Sequence, residues 1–125
     1  MTKTFLKQLF IGLVLALHLI SSAGHMSRAA GDFVTGFDDL PLMPGMIEIP
    51  ETDVSFDTTA GRIVIAFVRT PTRAEKIRHF YATTLSQLGW HQQSATAYAR
   101  EGEVLSFDYL TDGPDTIVRF SLLPQ

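Results

Sequence analysis

The feature that most constrains this chain is an unbroken run of six apolar residues at positions 63–68, with Arg62 before it and Arg69 after it. So short a run of mostly β-branched side chains is typical of a β-strand that is covered on much of both faces, because a buried helix needs about ten residues or more. Side chains alternate along a strand. We expect the larger set to face the helix that follows: Ile63, Ile65 and Phe67.

The residues after this strand predict one amphipathic helix. Pro71 cannot continue a strand ladder, and Thr72 and Glu75 have the spacing of a capping box, which starts a helix. Gly89 suits the left-handed conformation that ends a helix, and we expect Trp90 to fold back and close the core. The predicted apolar stripe of the helix follows i, i+3, i+4 spacing: Ala74, Ile77, Phe80, Tyr81, Leu85 and Leu88.

Shorter alternating segments predict the other strands, at residues 54–57, 90–93, 98–100, 103–110 and 116–122. Ile47 and Ile49 fit a further short strand before Pro50. The last two long strands are expected to point alternate apolar side chains inward: Leu105, Phe107 and Tyr109, then Val118, Phe120 and Leu122. The order ββαββββ predicts an α+β domain in which one amphipathic helix packs on one face of an antiparallel meander.

The first residues have the layout of a secretory signal peptide. Lys3 and Lys7 precede an apolar run at residues 9–20, and small residues then lead to an expected cleavage after Ala23. The alternative is an inner-membrane anchor over residues 5–22, although the run is shorter than the about 20 apolar residues that span a bilayer. We therefore expect export to the periplasm.

The expected domain plan has three parts: a signal peptide at residues 1–23, a flexible leader at 24–39 and a single α+β domain at 40–125. Cleavage removes two lysines and no acidic residue, so the formal net charge moves from −3 to −5. This charge disfavours nucleic acid as a partner, and membrane contact is expected only if the N-terminal segment stays uncleaved. The absence of cysteine excludes disulfides and a catalytic thiol.

Residues 38–46 combine two prolines with an unusually apolar composition. The prolines exclude a helix or a central strand. One interpretation is an extended arm laid across the domain, with Leu42 and Met46 in its core. The other is a partner-binding peptide, because a segment held extended by proline loses little entropy on docking. Its candidate contacts are Leu42, Met43 and Met46.

The segment from Arg100 to Glu103 also has two interpretations. It is either a hairpin turn with an ion pair between these two residues, or a recognition corner whose guanidinium binds a carboxylate or phosphate. In the second case, we expect other side chains to join Arg100 on the outward face of the sheet: Arg62, Arg69, Arg119, Tyr98 and Asp108. Arg62, Arg100 and Arg119 are therefore further candidates for partner binding.

No motif in the chain predicts a reaction. His79 and His91 lack the third ligand that a metal site needs, and the sequence contains no G-x-S-x-G, phosphate-binding or dinucleotide motif. The many acidic residues are expected to be solvated on strands and turns, because paired catalytic carboxylates need a cleft that holds them face to face. We expect neither a catalytic activity nor a cofactor.

Four short blocks carry a family resemblance: D-L-P-L-M-P-G at residues 39–45, G-R-I at 61–63, F-Y-x-x-x-L-x-x-L-G-W at 80–90 and R-E-G-E-x-L at 100–105. In this order they resemble an uncharacterised family of small exported alphaproteobacterial proteins. The resemblance extends over about residues 38–125. It implies an N-terminal signal and a small α+β domain, and it implies no activity, cofactor or catalytic residue.

Three functions follow from these observations, in order of preference. The first is a non-enzymatic periplasmic or membrane-tethered module that binds another cell-envelope protein. The second is a carrier for a small apolar ligand, held in a cup that four aromatic residues would line: Trp90, Phe107, Tyr109 and Phe120. A hydrolytic enzyme is the least favoured.

Overall fold

A computed structural model describes residues 32–125. The expected signal peptide and the part of the expected leader before residue 32 lie outside the described residues. Within them, one α-helix packs on an antiparallel sheet of seven strands, which confirms the α+β class. The elements in chain order are β1 (Ile47–Glu48), β2 (Val54–Thr58), β3 (Gly61–Thr70), α1 (Ala74–Gln87), β4 (His91–Ser94), β5 (Ala97–Arg100), β6 (Glu103–Asp112) and β7 (Asp115–Pro124).

The strand order differs from a simple meander. It runs β1-β3-β7-β6-β5-β4, and β2 pairs with the same edge of β3 as β1 does. The chain therefore leaves β3, crosses the sheet through α1, and returns by the hairpins β4 to β7. The 14 residues of α1 span about 21 Å at 1.5 Å per residue, which matches the about 19 Å between strands four places apart. The helix is long enough to carry the chain to the far edge.

The predicted apolar stripe of α1 meets the core, where Ile77, Tyr81 and Leu85 are buried. The helix ends as expected at Gly89, whose φ is +83°. The Trp90 amide donates to the Leu85 carbonyl at 3.0 Å, the bond that defines a Schellman motif. Trp90 itself is buried, as the sequence predicts.

The predicted capping box is wrong. The helix begins at Ala74 with Arg73 at the N-cap position, and no side-chain hydrogen bond caps it among the described residues. The Thr72 amide instead donates to the hydroxyl of the buried Thr70 at 3.2 Å. Because the helix begins at Ala74, Thr72 lies one residue before the N-cap position, and its side chain does not cap the helix.

The prediction for the faces of β3 is also wrong. The smaller set, Val64, Ala66 and Val68, is the buried one. Phe120 of β7 and Phe107 of β6 already fill the space beneath α1, with ring centroids 5.6 Å and 5.1 Å from that of Tyr81. Small side chains on β3 therefore allow the chain to approach closely, whereas the larger set of β3 would overfill this layer.

Residues 32–46 lie beside α1 on the same face of the sheet, and we call them the arm. The arm contributes five buried side chains to the core: Val34, Phe37, Leu40, Met43 and Met46. The Phe37 ring centroid lies 6.3 Å from that of Phe120, and the Leu42 amide donates to the Asp32 carbonyl at 2.8 Å. Residues 32–39 were expected in the flexible leader, but two of their apolar side chains pack in the core. No helix within residues 32–125 has the length and apolar character to cross a bilayer.

Candidate functional site

The face of the sheet opposite α1 and the arm is the candidate site, and we call it the helix-free face. Because side chains alternate, the ladder registers bring one apolar set to this side: Val54 and Phe56 of β2, Ile63, Ile65 and Phe67 of β3, Val104 and Leu110 of β6, and Ile117 and Leu123 of β7. Four of these side chains are between 42% and 52% exposed, namely Val54, Phe56, Leu110 and Leu123. Among the described residues, no second layer covers them.

The same face carries a belt of paired charges. Arg119 donates to Asp108 on the neighbouring strand at 3.3 Å. Arg69 donates to Asp112 at 2.6 Å and to Asp115 at 3.4 Å. These bonds, the one to Asp112 above all, raise the pKa of the Arg69 guanidinium above its ordinary value. The belt therefore presents both signs of charge close together rather than a single-sign field.

The predicted cluster of arginines does not form. Arg119 lies on the helix-free face, whereas Arg62 and Arg100 have the register of the covered face. Tyr98, expected on the outward face, is 2% exposed and lies in the core. The sequence alone could not assign these faces because the assignment depends on which side of β3 the helix occupies.

Arg100 is fully engaged inside the domain. Its guanidinium donates to both carboxylate oxygens of Asp39, at 2.7 and 3.1 Å, and to the Leu88 carbonyl at the end of α1, at 2.8 Å. It also stacks on Trp90, with the guanidinium carbon 4.3 Å from the ring centroid. The bonds to Asp39 raise the pKa of Arg100 above its ordinary value. Arg100 therefore ties the arm to the helix end.

The predicted ion pair between Arg100 and Glu103 is wrong as well. Glu103 accepts instead from Arg62, at 2.8 Å from Nε, and the same guanidinium lies 2.9 Å from Asp38. The hydrogen bond to Glu103 is the main cause that raises the pKa of Arg62. Asp38 and Asp39 thus attach the arm to two different arginines on the covered side of the sheet.

The candidate contacts in the arm lie in or against the core. Met43 and Met46 are both 8% exposed, and Leu42 is half-buried. The Tyr81 hydroxyl donates to the Pro41 carbonyl at 2.8 Å and contacts the Met46 sulfur at 3.4 Å. Burial strongly raises the pKa of Tyr81. Residues 38–46 therefore lie across the domain as an arm, with Met46 in the core and Leu42 half-buried against it.

The aromatic cup expected for a ligand carrier is filled by the protein itself. Phe107 packs edge-on against Phe120 with ring centroids 5.2 Å apart, and both are buried beneath Tyr81. Two open clefts of about 280 and 340 Å³ occur among the described residues. The smaller one lies where the chain steps away from β3 between β1 and β2, and its lining includes Glu48, Asp53 and Phe67.

The histidines form no metal site within residues 32–125. His79 and His91 are exposed on α1 and β4, and this part of the chain contains no group of three or more side chains positioned to hold a metal ion. Comparison with protein-family models, with curated proteins and with solved structures finds no match.

The exposed apolar residues of the helix-free face were not nominated from the sequence. A signal for them was nevertheless present, because the apolar run at residues 63–68 predicts a strand covered on much of both faces. The structure covers one face of that strand with α1 and the arm. The second face, with Ile63, Ile65 and Phe67 only half-buried, meets no other layer among the described residues.

Proposed function

We propose that this protein is a non-enzymatic module, periplasmic or membrane-tethered, that binds another cell-envelope protein through its helix-free face. The observation that carries the proposal is the set of exposed apolar side chains on that face, Val54, Phe56, Leu110 and Leu123. Val54 and Phe56 lie beside the half-buried Ile65 and Ile63 on this face, and exposed contiguous apolar surface of this kind commonly marks a protein interaction site.

The dimensions of the face suit a stable protein contact. β3, β6 and β7 each contain ten residues, which corresponds to about 33 Å at 3.3 Å per residue. The five strands from β2 to β5 are separated by four spacings, or about 19 Å. The face therefore offers on the order of 600 Å², which is comparable to the about 800 Å² that each partner buries in a standard interface.

The cellular location in this proposal rests on the sequence. The expected signal peptide at residues 1–23 predicts export, and the resemblance to small exported alphaproteobacterial proteins points the same way. The chain has no cysteine, so it depends on its hydrophobic core rather than on disulfides for stability outside the cytoplasm. The partner is accordingly expected among proteins of the cell envelope.

Site-specific photo-crosslinking in the source cell tests the proposal. A benzoyl-phenylalanine at Leu110, which is 52% exposed on the helix-free face, should give a discrete crosslink to one other envelope protein. The same group at Lys76, which is exposed on α1, is the matched control and should give none. A Phe56→Ser substitution, made in the chain that carries the Leu110 probe, should abolish the crosslink without unfolding the domain. Equal crosslinking from both positions, or none from Leu110, would contradict the proposal.

A further inference from the structure

The two edges of the sheet differ in how they are protected. The β4 edge has four residues and a register shift between Gln92 and Ser94, and such a bulge is a common way to prevent pairing with another chain. The β2 edge runs in unbroken register with β3 from Val54 to Thr58. No described strand pairs with its outer side. Because residues alternate in an antiparallel ladder, about half of the backbone N–H and C=O groups of β2 point away from β3.

The side chains of β2 define what an added strand would meet. Val54 and Phe56 lie on the helix-free face and are 45% and 49% exposed. Ser55 and Asp57 lie on the other side, and Asp53 precedes the strand. The two carboxylates have no hydrogen-bonded or ion-paired partner in the described part of the chain. An added strand therefore meets apolar groups at one set of alternate positions and acidic groups at the other.

Charge favours a strand from another protein over a second copy of this chain as the strand that pairs with β2. Pairing β2 with the β2 of another copy places the acids of both copies, Asp53 and Asp57, on one side of the new ladder, where like charges repel. A strand with lysine or arginine at these positions gains attraction instead. The chain's formal net charge of −3 acts in the same direction over a longer range.

The smaller cleft extends this edge beyond the start of β2. It has a volume of about 280 Å³, and Thr52, Asp53 and Phe67 contribute to its lining. On the other side of the cleft, the Thr35 hydroxyl donates a hydrogen bond to the Glu48 carboxylate at 2.9 Å. A long basic side chain that enters here meets the Asp53 carboxylate while its methylene groups contact the apolar lining at Ile49 and Pro50, as amphipathic basic side chains commonly do.

We propose that the edge of β2 accepts an added strand from a partner protein, in a segment that alternates apolar and basic residues. The apolar residues continue the helix-free face beside Val54 and Phe56, and the basic residues meet Asp53 and Asp57. The inference rests on the proposed function, and it names the chemistry of the partner segment. Backbone bonds supply affinity in such complexes, and the alternating side chains supply specificity.

The test uses the full chain and a synthetic nine-residue peptide that alternates lysine and valine, with binding followed by fluorescence anisotropy. Two further versions are N-methylated, one at every lysine and one at every valine. Because only alternate N–H groups face β2 in an added strand, one N-methylated version should bind at least tenfold more weakly, and the other should bind like the parent. A peptide that alternates glutamate and valine should not bind measurably.

Two variants with equal changes of charge locate the site. Asp57→Lys should weaken binding of the lysine–valine peptide at least tenfold, whereas Glu75→Lys on the exposed side of α1 should leave it within twofold. Equal effects of the two variants, or equal binding of both N-methylated peptides, would overturn the inference. Sedimentation of the chain alone as a dimer that the peptide dissociates would assign the β2 edge to a second copy instead, which also overturns it.

The peptide-binding and crosslinking experiments together distinguish a failure of this inference from a failure of the proposed function. If the peptide fails to bind while the Leu110 crosslink to an envelope protein persists, strand addition at β2 is wrong and the helix-free face remains the contact. If both fail, the proposed function falls as well.

Discussion

The packing of the arm on β3 yields a sharp prediction at Gly36. This glycine has a φ of +84°, and a Cβ added to it would lie 2.9 Å from the Cγ1 of Val64. Gly45 is a matched control in the same arm, because its φ is +88° and an added Cβ would meet nothing within 4 Å. The two substitutions Gly36→Ala and Gly45→Ala therefore share the backbone cost and differ in the steric one.

The expected magnitudes follow from these two terms. Placing alanine in the left-handed region costs about 1–2 kcal/mol, so Gly45→Ala should lower the free energy of unfolding by that amount. Carbon atoms pack at about 3.5–4.0 Å, and Val64 is 1% exposed and β-branched, so it cannot turn aside. Overpacking of this kind adds about 1–3 kcal/mol, so Gly36→Ala should cost about 2–5 kcal/mol.

Equilibrium unfolding in urea, followed by the fluorescence of the only tryptophan, measures both values. In thermal unfolding, the melting temperature of Gly36→Ala should lie at least about 4 °C below that of Gly45→Ala, since 1 kcal/mol corresponds to about 4–8 °C in a domain of this size. Hydrogen exchange at the Val34 amide, which donates to the Leu40 carbonyl at 2.9 Å, should accelerate in Gly36→Ala alone. If the two variants unfold within about 0.5 kcal/mol of each other, the arm does not press on β3 as the structure shows.

Three further predictions concern the core and the clamp by which Arg100 joins Asp39 of the arm to the Leu88 carbonyl at the helix end. Arg100→Met should destabilise the domain by about 2–3 kcal/mol, since it removes charged hydrogen bonds of about 1.5–3 kcal/mol that are partly screened by solvent. A double-mutant cycle with Asp39→Asn should show coupling of about 1 kcal/mol, and additive effects would contradict the clamp. Trp90→Ala should cost about 3–5 kcal/mol, with Trp90→Phe losing less, and near-wild-type unfolding of the alanine variant would place the ring outside the core. Burial raises the pKa of all three tyrosines, that of Tyr109 to about 12, so the folded state disfavours phenolate. Stability should then be fully present below about pH 10, the unfolded pKa, and fall as the pH rises through the folded pKa values. Absorbance at the phenolate band should appear near pH 10 only in denaturant, and a tyrosine that titrates there in the native protein would refute this.

Several elements of the fold could be predicted from local sequence. The hairpin between β2 and β3, the helix stripe, the stop at Gly89 and the burial of Trp90 each depend on residues within a few positions of one another, and the structure confirms them. The capping box at Thr72 was a local prediction that failed. Thr70 offers a competing acceptor two residues earlier, and spacing alone cannot rank two local hydrogen bonds.

The contacts of the nominated arginines were harder to predict because their partners are distant in the chain. Arg100 was expected to pair with Glu103, its cross-strand neighbour, yet its carboxylate partner is Asp39, 61 positions away. The arm could bring Asp39 there only because Phe37 and Leu40 pack in the core and carry the acid with them. Local spacing contains no information on such a contact.

The sequence by itself determined which segments become strands and helix and which side chains are apolar enough to need burial, because periodicity and turn chemistry act over a few residues. Only the tertiary structure decided which face of β3 the helix and the arm cover, and that β3 pairs with β7 rather than with β4. Those choices follow from how aromatic side chains of β6 and β7 share one layer with α1 and the arm. The same packing leaves Val54, Phe56 and Leu110 exposed on the opposite face, where the proposed partner binds.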